Sequence, residues 1–146
     1  MNWIRRMALI GFIGLSAISC ASVELSTREQ AEQTKIANTP LIFTIDKSKS
    51  DETWGRAQVW LTSYASYKIQ TATDYVLQTF APVESNSDDY AYEVTRLPGG
   101  TSDTFTVKCV AGSAWLYGDN ALMNAKVFAH YLQTGTMIGW LMTPAR

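Results

Sequence analysis

A chain of 146 residues with a formal net charge of −1 has room for one domain. Its 47% hydrophobic and 17% charged residues exclude a disordered chain. Arg5 and Arg6 are the basic groups of the first 19 residues, so 10 basic and 13 acidic groups follow. No Lys/Arg cluster appears among them, and nucleic-acid binding, which draws most of its affinity from concentrated phosphate contacts, is set aside.

The chain opens like a secretory signal. Arg5 and Arg6 form a basic n-region, "MALIGFIGLSAI" (7–18) an apolar h-region, and small residues follow. An apolar run of twelve is too short for a helical membrane span, which needs about 20 residues. Export is therefore expected, with 1–19 as the signal peptide.

Cys20 has three possible fates. As half of a disulfide it needs Cys109, the only other cysteine. Cleavage after Ala21, with Ser19 and Ala21 as the small residues, discards it. Cleavage before it, with Ala17 and Ser19 in those places, makes it the new N-terminus. The stretch "AISC" resembles the lipobox of bacterial lipoproteins, with Ala17 where Leu is usual. That resemblance implies a diacylated Cys20, and two or three acyl chains anchor durably because each buried CH₂ contributes roughly 0.8 kcal/mol. Ala21, in place of Asp, suggests by resemblance to enteric lipoproteins an outer-membrane location facing the periplasm.

Residues 20–40 read as the lipidated cysteine and a polar tether, whose roughly 20 residues reach about 25 Å as a flexible coil. A rival short helix is signalled by the capping-box spacing of Ser26 and Glu29, but its apolar face of Ala31, Ile36 and Ala37 is thin. Tether is favoured.

From residue 41 the chain reads as a small α+β domain with an apolar C-terminal tail, to residue 146. "LIFTIDK" (41–47) alternates as a half-buried strand, Leu41, Phe43 and Ile45 on one side. The next stretch (48–66) predicts a helix capped by Ser50, with an inward stripe of Trp54, Ala57, Leu61 and Tyr64 flanked by Trp60. Gly55 within it suggests a close approach. "YKIQT" (67–71) and "DYVLQTF" (74–80) read as short strands, and "APVESNSDD" (81–89) as a polar loop. "YAYEVTRL" (90–97) and "TFTVKCV" (104–110) read as a hairpin, its Pro98-Gly99-Gly100 turn using positive φ. Phe105, Val107 and Cys109 share the apolar side of the second strand, so Cys109 is expected to be an inert core residue. A second helix (118–135) is capped by Asp119, carries Ala121, Ala125, Phe128 and Leu132 inward with Leu122 and Ala129 beside them, and stops at Gly135.

The expected fold is an antiparallel sheet of four or five strands with two helices on one face, in the order β-α-β-β-β-β-α. That order, with "ETWGRAQVWL", weakly resembles the helix-grip domains of the accessory lipoprotein in the outer-membrane barrel assembly machinery.

Chemistry is sparse. His130 is the only histidine, which leaves a triad or a His-based metal site without partners, and no G-x-S-x-G is present. Glu84, Asp88 and Asp89 lack the order of a calcium loop. No catalytic residue, metal or cofactor is expected. Five Trp and seven Tyr fill a core or line an interface. In the uncharged tail "MIGWLM" (137–142), Trp140 and Leu141 are the candidate contacts for a protein partner of the cell envelope. The expected role is a lipid-anchored, non-catalytic interaction or accessory module; the alternative is a periplasmic carrier holding a small ligand or peptide near Trp54, Trp60 and Phe128.

Overall fold

The computed structural model describes residues 26–82 and 89–138. Its elements are α1 (Thr27–Ala37), β1 (Ile42–Asp46), α2 (Lys47–Tyr64), β2 (Ile69–Ala72), β3 (Val76–Thr79), β4 (Tyr90–Leu97), β5 (Ser102–Ala111) and α3 (Ala114–Thr134). The strands form one antiparallel sheet in the order β1-β5-β4-β3-β2. The α+β class, the antiparallel sheet and the succession from β1 onward agree with the periodicities. Among the described residues the helices are three, one more than expected.

β2 to β5 form a meander, and β1 pairs beside β5, with Phe43 opposite Phe105. The chain must therefore pass from one sheet edge to the other between β1 and β2. An 18-residue helix is about 27 Å long, and five strands are roughly 19 Å from first to last, so α2 suffices for the crossing. Of the stripe that periodicity marked, Trp54, Ala57 and Leu61 are buried with the flanking Trp60, and Tyr64 is half-buried.

Between sheet and helices the core contains Phe105, Phe128, Trp60, Leu77, Val94, Val107 and Leu132, each at most 2% exposed. A fully buried side chain of this kind stabilises by about 1.5–3 kcal/mol. The opposite sheet face carries Thr44, Glu93, Thr95, Thr104, Thr106 and Lys108, the last donating to Glu93 at 2.8 Å.

The additional helix falls where a tether was favoured. Ser26 Oγ accepts from the Glu29 N–H at 3.3 Å, and Glu29 Oε2 accepts from the Ser26 N–H at 2.7 Å. This reciprocal capping box satisfies two otherwise orphaned groups. Ile36 is the decisive apolar residue: it is 0% exposed and part of the core. Lys126 Nζ donates to the Ala37 carbonyl, and Gln133 Nε2 to the Pro40 carbonyl at 3.3 Å, both from α3. One well-placed isoleucine and two long-range hydrogen bonds dock a face that looked too thin.

Other local expectations shift. Asp46, not Ser50, caps α2, accepting from the Ser48 N–H at 3.0 Å. Ser113, not Asp119, occupies the N-cap of α3. Leu122 is 48% exposed, whereas Val127 is buried. A Cβ at Gly55 would meet nothing within 4 Å, so no close approach occurs there. Gly99 and Gly100 lack positive φ; the tight spot is Gly99, whose added Cβ would collide with the Ser102 carbonyl oxygen. Gly135 closes α3 as expected, at φ +72° with its N–H donating to the Tyr131 carbonyl at 2.7 Å.

Candidate functional site

Cys20, Trp140 and Leu141 lie outside the described residues, as do Glu84 and Asp88. Asp89 is described, and it accepts from the Tyr67 hydroxyl at 3.0 Å.

The carrier alternative needs space between α2, α3 and the sheet. Trp60 stacks on Phe128 with ring centroids 5.0 Å apart, and Tyr64 and Tyr131 lie at 5.2 and 5.6 Å from Trp60. Tyr92 meets Phe128 edge-on at 5.8 Å. Trp54 is 7% exposed and tilts onto Phe105. The rings fill the centre. Among the described residues, Trp60 Nε1 is the buried side-chain polar atom that lacks a hydrogen-bond partner.

Cys109 is half-buried on the helix side of β5, and burial pushes its thiol up to about 12. Such a thiol carries almost no thiolate at neutral pH and is a poor nucleophile. His130 is half-buried on α3, and burial, followed by the nearby Lys35, lowers its pKa. Among the described residues no group of three or more His, Cys, Asp or Glu could hold a metal ion.

The densest chemistry surrounds a residue that the sequence did not single out. Asp103 is 0% exposed at the start of β5. Strand alternation places it on the same side as Phe105 and Val107, facing the helices. There α2 begins, and Lys47 and Ser50 stand one turn apart on it. Asp103 Oδ1 accepts from Lys47 Nζ at 2.7 Å and from the Gly99 N–H at 3.1 Å. Oδ2 accepts from Ser50 Oγ at 2.5 Å and from Arg96 Nε at 2.7 Å. Arg96 also reaches Asp51 at 2.8 Å. Lys47 Nζ, then the Ser50 hydroxyl, hold the carboxyl well below the usual carboxylate range, and Arg96 and the Gly99 N–H add to this.

A carboxylate has about four acceptor positions, and four donors occupy these oxygens. That leaves Asp103 no lone pair for accepting a substrate proton. Its effect is structural: it ties the 98–101 turn, β4 and the first turn of α2 together. The partners are spread along the sequence, and Asp103 itself follows a glycine-rich turn among small polar residues. Its period-two relation to Phe105 was the available signal.

Two open depressions border these elements. One, of about 460 Å³, lies beside this cluster and is lined by Lys47, Asp51, Trp54, Asp74, Tyr75, Arg96 and Pro98. The other, of about 360 Å³, runs between α1 and the end of α3, bordered by Arg28, Glu32, Lys35 and His130 and by Thr134, Thr136, Met137 and Ile138. Ile138 is 8% exposed, and Met137 also packs on the core, so the start of the apolar tail belongs to the body of the domain. Among the described residues no helix is long and apolar enough to cross a membrane. A scan of protein-family models and a search of the curated proteins both returned no match for this chain.

Proposed function

We propose that the protein is a lipid-anchored component of a bacterial cell envelope, held through Cys20 and acting as a non-catalytic interaction module. The carrying observation is the leader: a basic start, an apolar run of twelve and "AISC". The lipobox resemblance suggests the outer membrane, with the domain facing the periplasm. The filled aromatic centre and the saturated Asp103 carboxylate support a contact role, and the stacked rings weigh against a ligand carrier. Trp140 and Leu141 are the proposed contacts for an envelope protein.

Intact mass of the mature protein tests the anchor. A species beginning at Cys20 and heavier by two or three acyl chains is expected; a product starting beyond Cys20 would overturn the reading. Replacing Trp140 and Leu141 together by Ala should leave the melting temperature unchanged and abolish cross-linking to an envelope protein. A lowered melting temperature would assign both residues to the core.

A further inference from the structure

The two edges of the sheet differ. β2 is four residues long, has a register shift between Ile69 and Thr71, and follows directly on Lys68. Short length, a bulge and a lysine are common devices that keep an edge from pairing with another chain. β1 has no such device. Its register against β5 runs unbroken from Ile42 to Asp46, it contains no lysine or arginine, and Ile42 is 65% exposed.

The hydrogen-bond alternation identifies which groups of β1 are open. The Val107 N–H donates to the Leu41 carbonyl at 2.9 Å, and the Lys47 N–H to the Thr101 carbonyl at 3.0 Å. Leu41, Phe43, Ile45 and Lys47 are therefore the positions bonded to the neighbouring strand. The N–H and C=O of Ile42 and Thr44 point away from the sheet, and among the described residues they have no hydrogen-bond partner. This open row is bounded at both ends. Pro40 has no N–H, and its carbonyl accepts from Gln133. At the other end Asp46 is the N-cap of α2, so its carbonyl takes the first bond of that helix.

We propose that the open edge of β1 pairs with β1 of a second copy of this chain, antiparallel about a two-fold axis at Phe43, joining the two sheets into one. In that register Ile42 of each copy faces Thr44 of the other as a hydrogen-bonded pair, and the open N–H and C=O groups of both are used. A register centred on Ile42 would set Thr44 against Pro40, which lacks a donor, and one centred on Thr44 would need the Asp46 carbonyl. The side chains suit the same register. Phe43 meets Phe43 at a non-hydrogen-bonded position, where side chains come closest, and so continues the stack of Phe43 on Phe105, whose centroids are 5.7 Å apart. Leu41 meets Ile45, both half-buried in the single chain. No like charges oppose each other: Asp46 faces Pro40, and the two Asp46 residues stand roughly 20 Å apart along the strands, beyond the screening length of about 8 Å.

Native mass spectrometry of the protein purified in mild detergent is expected to show a dimer that dissociates on dilution, because so short a contact belongs to the weak end of interfaces. Ile42→Lys adds a charge to a side chain that is already exposed, and Thr44→Pro removes an outward N–H, which an edge strand tolerates where that N–H faces solvent. Both variants should be monomers with the circular dichroism of the wild type; should Thr44→Pro fail to fold, Ile42→Lys decides. In a Cys109→Ala background a short bismaleimide should join Thr44→Cys to a second copy, and should join Asp74→Cys, in the turn at the opposite edge, far less. A wild type that is monomeric at every concentration overturns the pairing, and so does a dimer that both variants leave intact. Cross-linking of position 44 to a different protein in place of a second copy overturns the choice of occupant. The dimer does not require acylation of Cys20, which the intact mass reads separately.

Discussion

Four donors on one buried carboxylate make Asp103 the side chain whose charge matters most to the fold. An Asp103→Asn variant keeps the shape but leaves Lys47 and Arg96 facing a neutral group. Removing one member of a buried ionic set is among the costlier single changes, and the melting temperature should drop by several degrees in a thermal scan. Its pH dependence has a defined sign. In the folded state the carboxyl releases its proton at lower pH than the unfolded Asp, whose value is about 3.9. The stabilisation is therefore complete at neutral pH and is lost as pH falls below about 4 toward the folded value. Urea unfolding at neutral pH and near pH 3 should show the wild type losing more stability than Asp103→Asn; equal losses would place the acid sensitivity elsewhere. Gly55 makes the opposite case. Its Cβ position is empty space inside α2, so Gly55→Ala should raise stability by about 0.5–1 kcal/mol in denaturant titration.

Helix α1 shows where local pattern stops and tertiary context begins. The box of Ser26 and Glu29 was visible, but its docking depends on Lys126 and Gln133, about 90 positions later. Ile36→Ala should cost about 2–5 kcal/mol, as for other buried large-to-Ala changes, measured by denaturant unfolding; a loss below 1 kcal/mol would mean that α1 is only loosely seated. The strands were easier to read because alternation is written into each one: Phe43, Val94, Phe105 and Val107 are all buried where period two puts them. Helix caps were misplaced because several serines and acids near each start could serve, and the backbone selects one. Alternation with Phe105 could have placed Asp103 on the inner face, but its role was not legible, for a related reason. Its partners at 47, 50, 96 and 99 become neighbours only after β4, β5 and α2 have been assembled.

The described residues form a filled body, while Cys20, Trp140 and Leu141, on which the functional proposal rests, lie outside them. The body was largely legible as a class, since an alternating strand, an amphipathic helix, more strands and a second helix admit few arrangements. The order of strands in the sheet was not, because no local pattern tells β1 to lie beside β5. That pairing has a kinetic consequence. Ile42 finds Thr106 only across most of the domain's length, and closures between such remote positions slow folding, because loop entropy is lost before the contact compensates. The neighbouring hairpins can assemble first, with the first strand arriving last. A native state out of reach until β5 has been synthesised leaves the first strand of the emerging chain without its sheet neighbour for most of its production.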